Sequence, residues 1–170
     1  MHFRLFGLWL AVLFVPLGLQ AQREKLDPED LAIVEQQWPE AKKTTTGLRY
    51  VMLKEGEGPT AKPGDLVSVL YRGAVLNGKV FDEQQDRDRP LTFRLGRAVV
   101  IEGWDQGLKL MNKGSKMLLI VPYELGYGTR GDPPRIGRRA TLVFEIDMIE
   151  IKPGVVDSAL APAPAPKKRK

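Results

Sequence analysis

Trp104 stands inside AVVIEGWDQGLKLM, residues 98–111, an apolar segment with helical spacing. Asp82 follows Phe81 directly, and Tyr127 lies in the Gly- and Pro-rich run GYGTRGDPP. These are aromatic rings, hydroxyls and one carboxylate, not nucleophiles or metal ligands. The chain has no cysteine, and its single histidine, His2, lies in a segment expected to be removed, so the mature chain would have neither. That excludes Ser-His-Asp and Cys-His catalysis, thiolate sites and nearly all structural zinc sites. Chemistry here must come from an environment rather than from a reagent.

The elements that would position these side chains follow from periodicity. In GLRYVMLKEG, Leu48, Tyr50 and Met52 alternate onto one side of a strand. LVSVLYRGAVLNGKVF reads as two strands joined at Asn77-Gly78, a dipeptide suited to a tight hairpin. EQQDRDRP is a charged loop or bulge, LTFRLG another strand, and SKMLLIVPY a strand entering the loop 124–139. ATLVFEIDMIEI sets Leu142, Phe144, Ile146 and Met148 on one face, with Thr141, Glu145 and Asp147 on the other. The expected fold class is α+β, a twisted antiparallel sheet with one short helix, ended near Asn112 to Gly114, on its apolar face.

Residues 1–21 combine Arg4, an apolar run from Leu5 to Leu19 and Leu19-Gln20-Ala21. They read as a secretory signal peptide, with an uncleaved anchor as the alternative. Residues 22–43 hold a short helical segment, with Asp27 as N-cap, Pro28 at the first helical position and Pro39 as its stop. Leu31, Val34 and Trp38 space as one face, for packing on the domain or, less simply, for a dimerisation arm. Residues 44–152 form the domain proper. Residues 153–170 read as a disordered, polyproline-like Ala-Pro spacer with a basic run, or as an anion-attracting tail. The formal net charge is +5, yet Arg4 and KKRK at 167–170 account for all of it. A uniformly basic nucleic-acid binder is therefore disfavoured.

GDLVSVLYRGAVLNGKVFD, PLTFRLGRAVVIEGWDQGL, GSKMLLIVP, YGTRGDPP and ATLVFEIDMIEI occur in this order over residues 44–151. Together they resemble the FKBP-type peptidyl-prolyl cis-trans isomerase domain, of the secreted, periplasmic bacterial kind. The resemblance implies a sheet wrapped around a short helix and a proline pocket walled by Tyr71, Phe81, Leu91, Val100, Ile101, Trp104, Ile136 and Phe144. Trp104 would be its floor. Asp82 and Tyr127 match the acidic and hydroxyl positions beside the reacting bond, and the Ile101 amide would bind a carbonyl. Asp82 could equally form an ion pair with Arg87. Leu91 stands where an aromatic wall residue is usual, Val99 at an often acidic position and Glu102 at an often basic one. Asp132, Pro133, Pro134 and Arg135 make an unusual loop tip.

The implied activity is X-Pro isomerisation during folding of exported proteins, with a non-catalytic proline-binding chaperone or adaptor as the alternative. No metal or cofactor is implied. The implied partners are proline-containing unfolded polypeptides and macrolides of the FK506/rapamycin type. Specific nucleic acid and a stable membrane span are not expected, and the protein would be secreted, to the periplasm if the cell is Gram-negative.

Overall fold

The computed structural model describes residues 24–154, Asn77 excepted. The signal peptide read over 1–21 and the Ala-Pro and basic segment after Gly154 lie outside the described residues. In chain order the elements are α1 (Pro28–Gln37), β1 (Lys42–Lys43), β2 (Arg49–Lys54), β3 (Glu57–Thr60), β4 (Leu66–Val75), β5 (Val80–Gln84) and β6 (Leu91–Arg94). There follow α2 (Glu102–Gly107), a 3₁₀ turn at Leu108–Leu110, β7 (Asn112–Lys113), β8 (Lys116–Val121), a second 3₁₀ turn at Tyr123–Leu125 and β9 (Leu142–Lys152).

The large sheet runs β1-β2-β8-β9-β4-β5, antiparallel throughout, and β6 also pairs with β4. Strand β4 changes partner along its length. Leu66–Val69 pair with Arg94–Leu91 of β6, and Tyr71–Ala74 pair with β5. The sheet begins at Lys42 rather than at residue 44, because β1 pairs with Arg49 and Tyr50. At the expected hairpin, Gly78 takes φ +89°, which glycine adopts without a steric penalty.

Strand alternation sends Val67, Val69, Met117, Leu119, Val121, Leu142, Phe144, Ile146 and Met148 into one core, with Trp104, Leu108 and Met111 from the α2 segment. Gly103 and Gly107 let α2 lie directly on β8. A Cβ at Gly103 would sit 2.6 Å from Val121 Cγ1, and one at Gly107 would sit 2.7 Å from Leu119 Cδ1. The opposite face of the sheet is covered as well. Leu118 and Ile120 bury against Val34 and Leu26, flanked by Leu31 and Trp38. The apolar face of α1 is thus spent on the sheet.

Two polar expectations turned out differently. Asp27 occupies the N-cap position, but its carboxylate accepts from Arg139 at 3.0 Å and makes no cap hydrogen bond. Thr141, placed on the solvent face by alternation, is buried and donates to Asp30 Oδ2 at 2.6 Å. In both cases α1 supplies or covers the partner, which strand periodicity cannot anticipate.

The segment before α1 is clamped to the sheet by Glu24, which accepts from Lys43 Nζ at 2.8 Å and Arg49 at 2.9 Å. Burial alone would raise the Glu24 carboxyl. The hydrogen bonds from Lys43, the Leu26 amide and Arg49 outweigh that and hold it at about 2, against an ordinary 4.5. A carboxylate held low in the folded state stabilises the fold above its unfolded value, and that share is lost as pH falls toward the folded one. Glu24→Gln should therefore cost about 1–2 kcal/mol at pH 7, allowing for solvent screening. The cost should shrink between about pH 4.5 and 2. Urea unfolding of both proteins across that range measures it.

Candidate active site

A cavity of about 380 Å³ opens where β4, β5, β6 and the start of α2 meet the loop after β8. Tyr71, Phe81, Asp82, Leu91, Val99, Val100, Ile101, Trp104, Tyr127 and Phe144 line it. Its size falls within the range of small-molecule sites, roughly 300–1,000 Å³. A second cavity of about 450 Å³, lined by residues such as Glu57, Lys62, Asp65 and Lys113, has no aromatic ring in its wall.

Trp104 is the buried floor. Its ring meets Tyr71 edge-on at 5.0 Å and Phe144 edge-on at 5.3 Å, with Phe93 tilted at 6.1 Å. Phe81 meets Phe144 edge-on at 5.7 Å. Edge-to-face pairs of this kind hold rings in fixed orientations. The indole Nε1 is buried and has no hydrogen-bond partner among the described residues. Gly73 on β4 makes room for the wall: a Cβ there would lie 2.6 Å from Phe144 Cε1 and 3.0 Å from Phe81 Cζ.

The polar groups sit at the side. Gly73 pairs with Asp82 and Tyr71 with Gln84, so Tyr71 and Asp82 are diagonal neighbours. The Tyr71 hydroxyl donates to Asp82 Oδ2 at 2.7 Å. Asp82 forms no ion pair with Arg87 among the described residues. The charged loop is tied instead by Asp86, which accepts from Arg89 at 2.9 Å and from the Asp88 amide at 3.0 Å. Burial, and then the Asp82 carboxylate, push the Tyr71 hydroxyl well above the usual phenol range. Tyr127 is also raised, first by burial and then by Asp132, with Arg135 opposing. Both therefore remain O–H groups at neutral pH.

Tyr127, 39% exposed, stands at the mouth, and its hydroxyl makes no hydrogen bond to a described residue. The amide of Ile101 is likewise unengaged, while the Ile101 carbonyl accepts from Trp104 and Asp105 and starts α2. Asp105 holds the preceding loop in place: its carboxylate accepts from the Gly96 amide at 2.9 Å and the Ala98 amide at 3.2 Å. Ala98 takes φ +52°, a left-handed conformation that this clamp sustains. Val99, Val100 and Ile101 are thereby presented to the cavity.

Of the residues expected at the site, Ile136 is the exception. It is 1% exposed, belongs to the main core and does not line the cavity. A bridge between Asp132 and Ile136, with hydrogen bonds from the Asp132 and Ile136 amides, folds the loop back and turns this side chain inward. Val99, read only as a departure from a pattern, does line the cavity, at 65% exposure. The roles of Gly73 and Asp105 had no sequence signal short of knowing which strands and loops meet.

Among the described residues no group of three or more His, Cys, Asp or Glu could hold a metal, and no helix is long and apolar enough to cross a membrane. The arrangement offers a ring-shaped apolar seat beside one carboxylate, one free hydroxyl and one free amide.

Comparison with known proteins matches this geometry. The family profile for the FKBP-type peptidyl-prolyl cis-trans isomerase covers residues 58–149. FKBP-type peptidyl-prolyl cis-trans isomerase FkpA of Escherichia coli K12 is 43% identical over 112 residues, 66% of this chain and 40% of that protein. FK506-binding protein 4 of Dictyostelium discoideum is 41% identical over 122 residues, 71% of this chain and 33% of that protein. The crystal structure of a peptidyl-prolyl cis-trans isomerase from Pseudomonas syringae superposes with a TM-score of 0.65 at 31% identity, over 74% of this chain and 92% of that one. The chain spans well under half the length of these two curated relatives. On the profile match, the identities and the shared fold, the chain belongs to the FKBP-type peptidyl-prolyl cis-trans isomerase family.

Proposed function

We propose that the protein accelerates cis-trans isomerisation of X-Pro bonds in exported, partly folded polypeptides. The observation that carries this reading is the aromatic seat over Trp104, whose side-chain polar groups are two hydroxyls, one carboxylate and the indole N–H. Amide resonance opposes rotation by about 18–20 kcal/mol. The rotated amide has lost that resonance, so its carbonyl is less dipolar and its nitrogen pyramidal. A dry apolar wall disfavours the planar, more polar amide relative to the rotated one, and this difference is what lowers the barrier. Each ~1.4 kcal/mol of the difference is worth about tenfold in rate.

In this reading the proline ring lies on Trp104 between Phe144, Val100 and Ile101. The Tyr127 hydroxyl and the Ile101 amide donate to the carbonyls flanking it. Asp82, with one oxygen committed to Tyr71, supplies a fixed negative charge beside the rotating carbonyl and takes no proton. Export is supported by the signal-like residues 1–21. Macrolides of the FK506 type would use the same seat, with Leu91 and Val99 altering the contacts at its rim.

Exchange spectroscopy on a short Leu-Pro peptide tests the activity. The exchange rate should rise in proportion to protein, with kcat/KM of about 10⁴ M⁻¹ s⁻¹ or more. Saturable binding of the peptide with no change in exchange would establish a proline-binding adaptor instead.

A further inference from the structure

We propose that the cavity is occupied part of the time by the chain's own alanine–proline segment, which enters in cis and competes with substrate. Ala161-Pro162, Ala163-Pro164 and Ala165-Pro166 are three consecutive X-Pro units. The inference rests on the reading of the cavity as an X-Pro isomerase site.

Three observations carry it. The first is reach. The amide of Gly154 donates to Asp65 Oδ1 at 3.0 Å, so the chain leaves the fold beside the start of β4. Along β4 the cavity residue Tyr71 lies beyond Leu66 by about 17 Å, at strand rise. Leu91, at the rim, is nearer, since it pairs with Val69. By chain length alone, residues 155–162 can reach at most about 26–29 Å, and the limit to Pro164 and Pro166 is about 33–36 and 40–43 Å. The second is chemistry. Leu91, Val99 and Tyr127 are exposed apolar or aromatic side chains at the cavity's edge, 36%, 65% and 39% exposed. They can cover the methyl groups and pyrrolidine rings of an Ala-Pro repeat. The third is charge. Asp82 is the one carboxylate in the lining, and the repeat is followed by Lys167, Lys168, Arg169 and Lys170.

Tethering supplies what the individual contacts lack. A short linker presents its ligand at an effective concentration of about 1 mM, enough for a weakly bound X-Pro unit to occupy the cavity for a substantial fraction of the time. The tail is then both a competitor and a substrate, since each visit lets its own prolyl bond turn.

Exchange spectroscopy on the full chain, with ¹³C-labelled proline, reads this directly. Exchange at Pro162, Pro164 or Pro166 should be at least about tenfold faster than in a free synthetic peptide of residues 155–170, and constant over a tenfold dilution of the protein. Replacing all three (Pro162→Ala, Pro164→Ala, Pro166→Ala) should lower KM for an added Leu-Pro peptide about twofold. Tail exchange at the free-peptide rate, while the added Leu-Pro peptide is accelerated, overturns the proposal and leaves the isomerase reading standing. Acceleration proportional to protein concentration overturns it too, since the tail would then be acting on other molecules. If neither the tail nor the added peptide is accelerated, the isomerase reading falls along with the proposal.

Discussion

Trp104→Ala should remove about 3–5 kcal/mol of stability, the range for truncating a large buried aromatic, and with it all measurable isomerisation. The indole touches Tyr71, Phe93 and Phe144, so its loss frees three rings at once and leaves a void where floor and core coincide. Trp104→Phe separates the two roles. It keeps a flat ring on the floor and deletes an Nε1–H that is buried without a partner among the described residues, a group whose burial costs about 1–3 kcal/mol. The phenylalanine variant should therefore lose less than half as much stability as the alanine variant and retain activity within about tenfold. Urea melts and peptide exchange on both proteins give the comparison. Equal loss in the two variants would mean that the indole is held by something other than its packing.

Gly73→Ala should lower kcat/KM by about 10- to 100-fold, equivalent to roughly 1.4–2.8 kcal/mol of lost transition-state stabilisation. The added methyl would meet Phe144 Cε1 at 2.6 Å and Cδ1 at 2.9 Å, so the ring must swing into the seat or the strands must part. Overpacking of this kind also costs about 1–3 kcal/mol of stability. Combining it with Phe144→Leu should give a stability loss smaller than the sum of the two, because the clash and the ring vanish together. Strict additivity would show that Gly73 and Phe144 do not press on each other.

Much of this site could be read before any coordinates. Trp104, Tyr71, Phe81 and Phe144 are legible as pocket residues through the family resemblance, since spacing by itself places Trp104 and Phe144 only in the core. The hairpin at Asn77-Gly78 fixes which stretch of β4 faces β5. What could not be read is set by contacts between distant segments. Ile136 turns inward because Asp132 closes the loop on it. Asp82 takes Tyr71 rather than Arg87 because strand register brings a diagonal neighbour closer than the next loop. Thr141 is buried since α1, over a hundred residues earlier, lies across it. Gly73 is silent in sequence because its function is an absent atom.

The most direct measurement of the central claim, that the wall's polarity and shape lower the barrier without proton transfer, is kcat/KM for a Leu-Pro peptide from pH 6 to 9 in H₂O and D₂O. The chain carries no cysteine and no histidine besides His2, and both cavity tyrosines titrate above the usual phenol range. Without proton transfer the profile should be flat within about twofold and the solvent isotope effect near one. A bell-shaped profile, or a rate that falls about threefold or more in D₂O, would mean that a proton moves in the transition state and would contradict that claim.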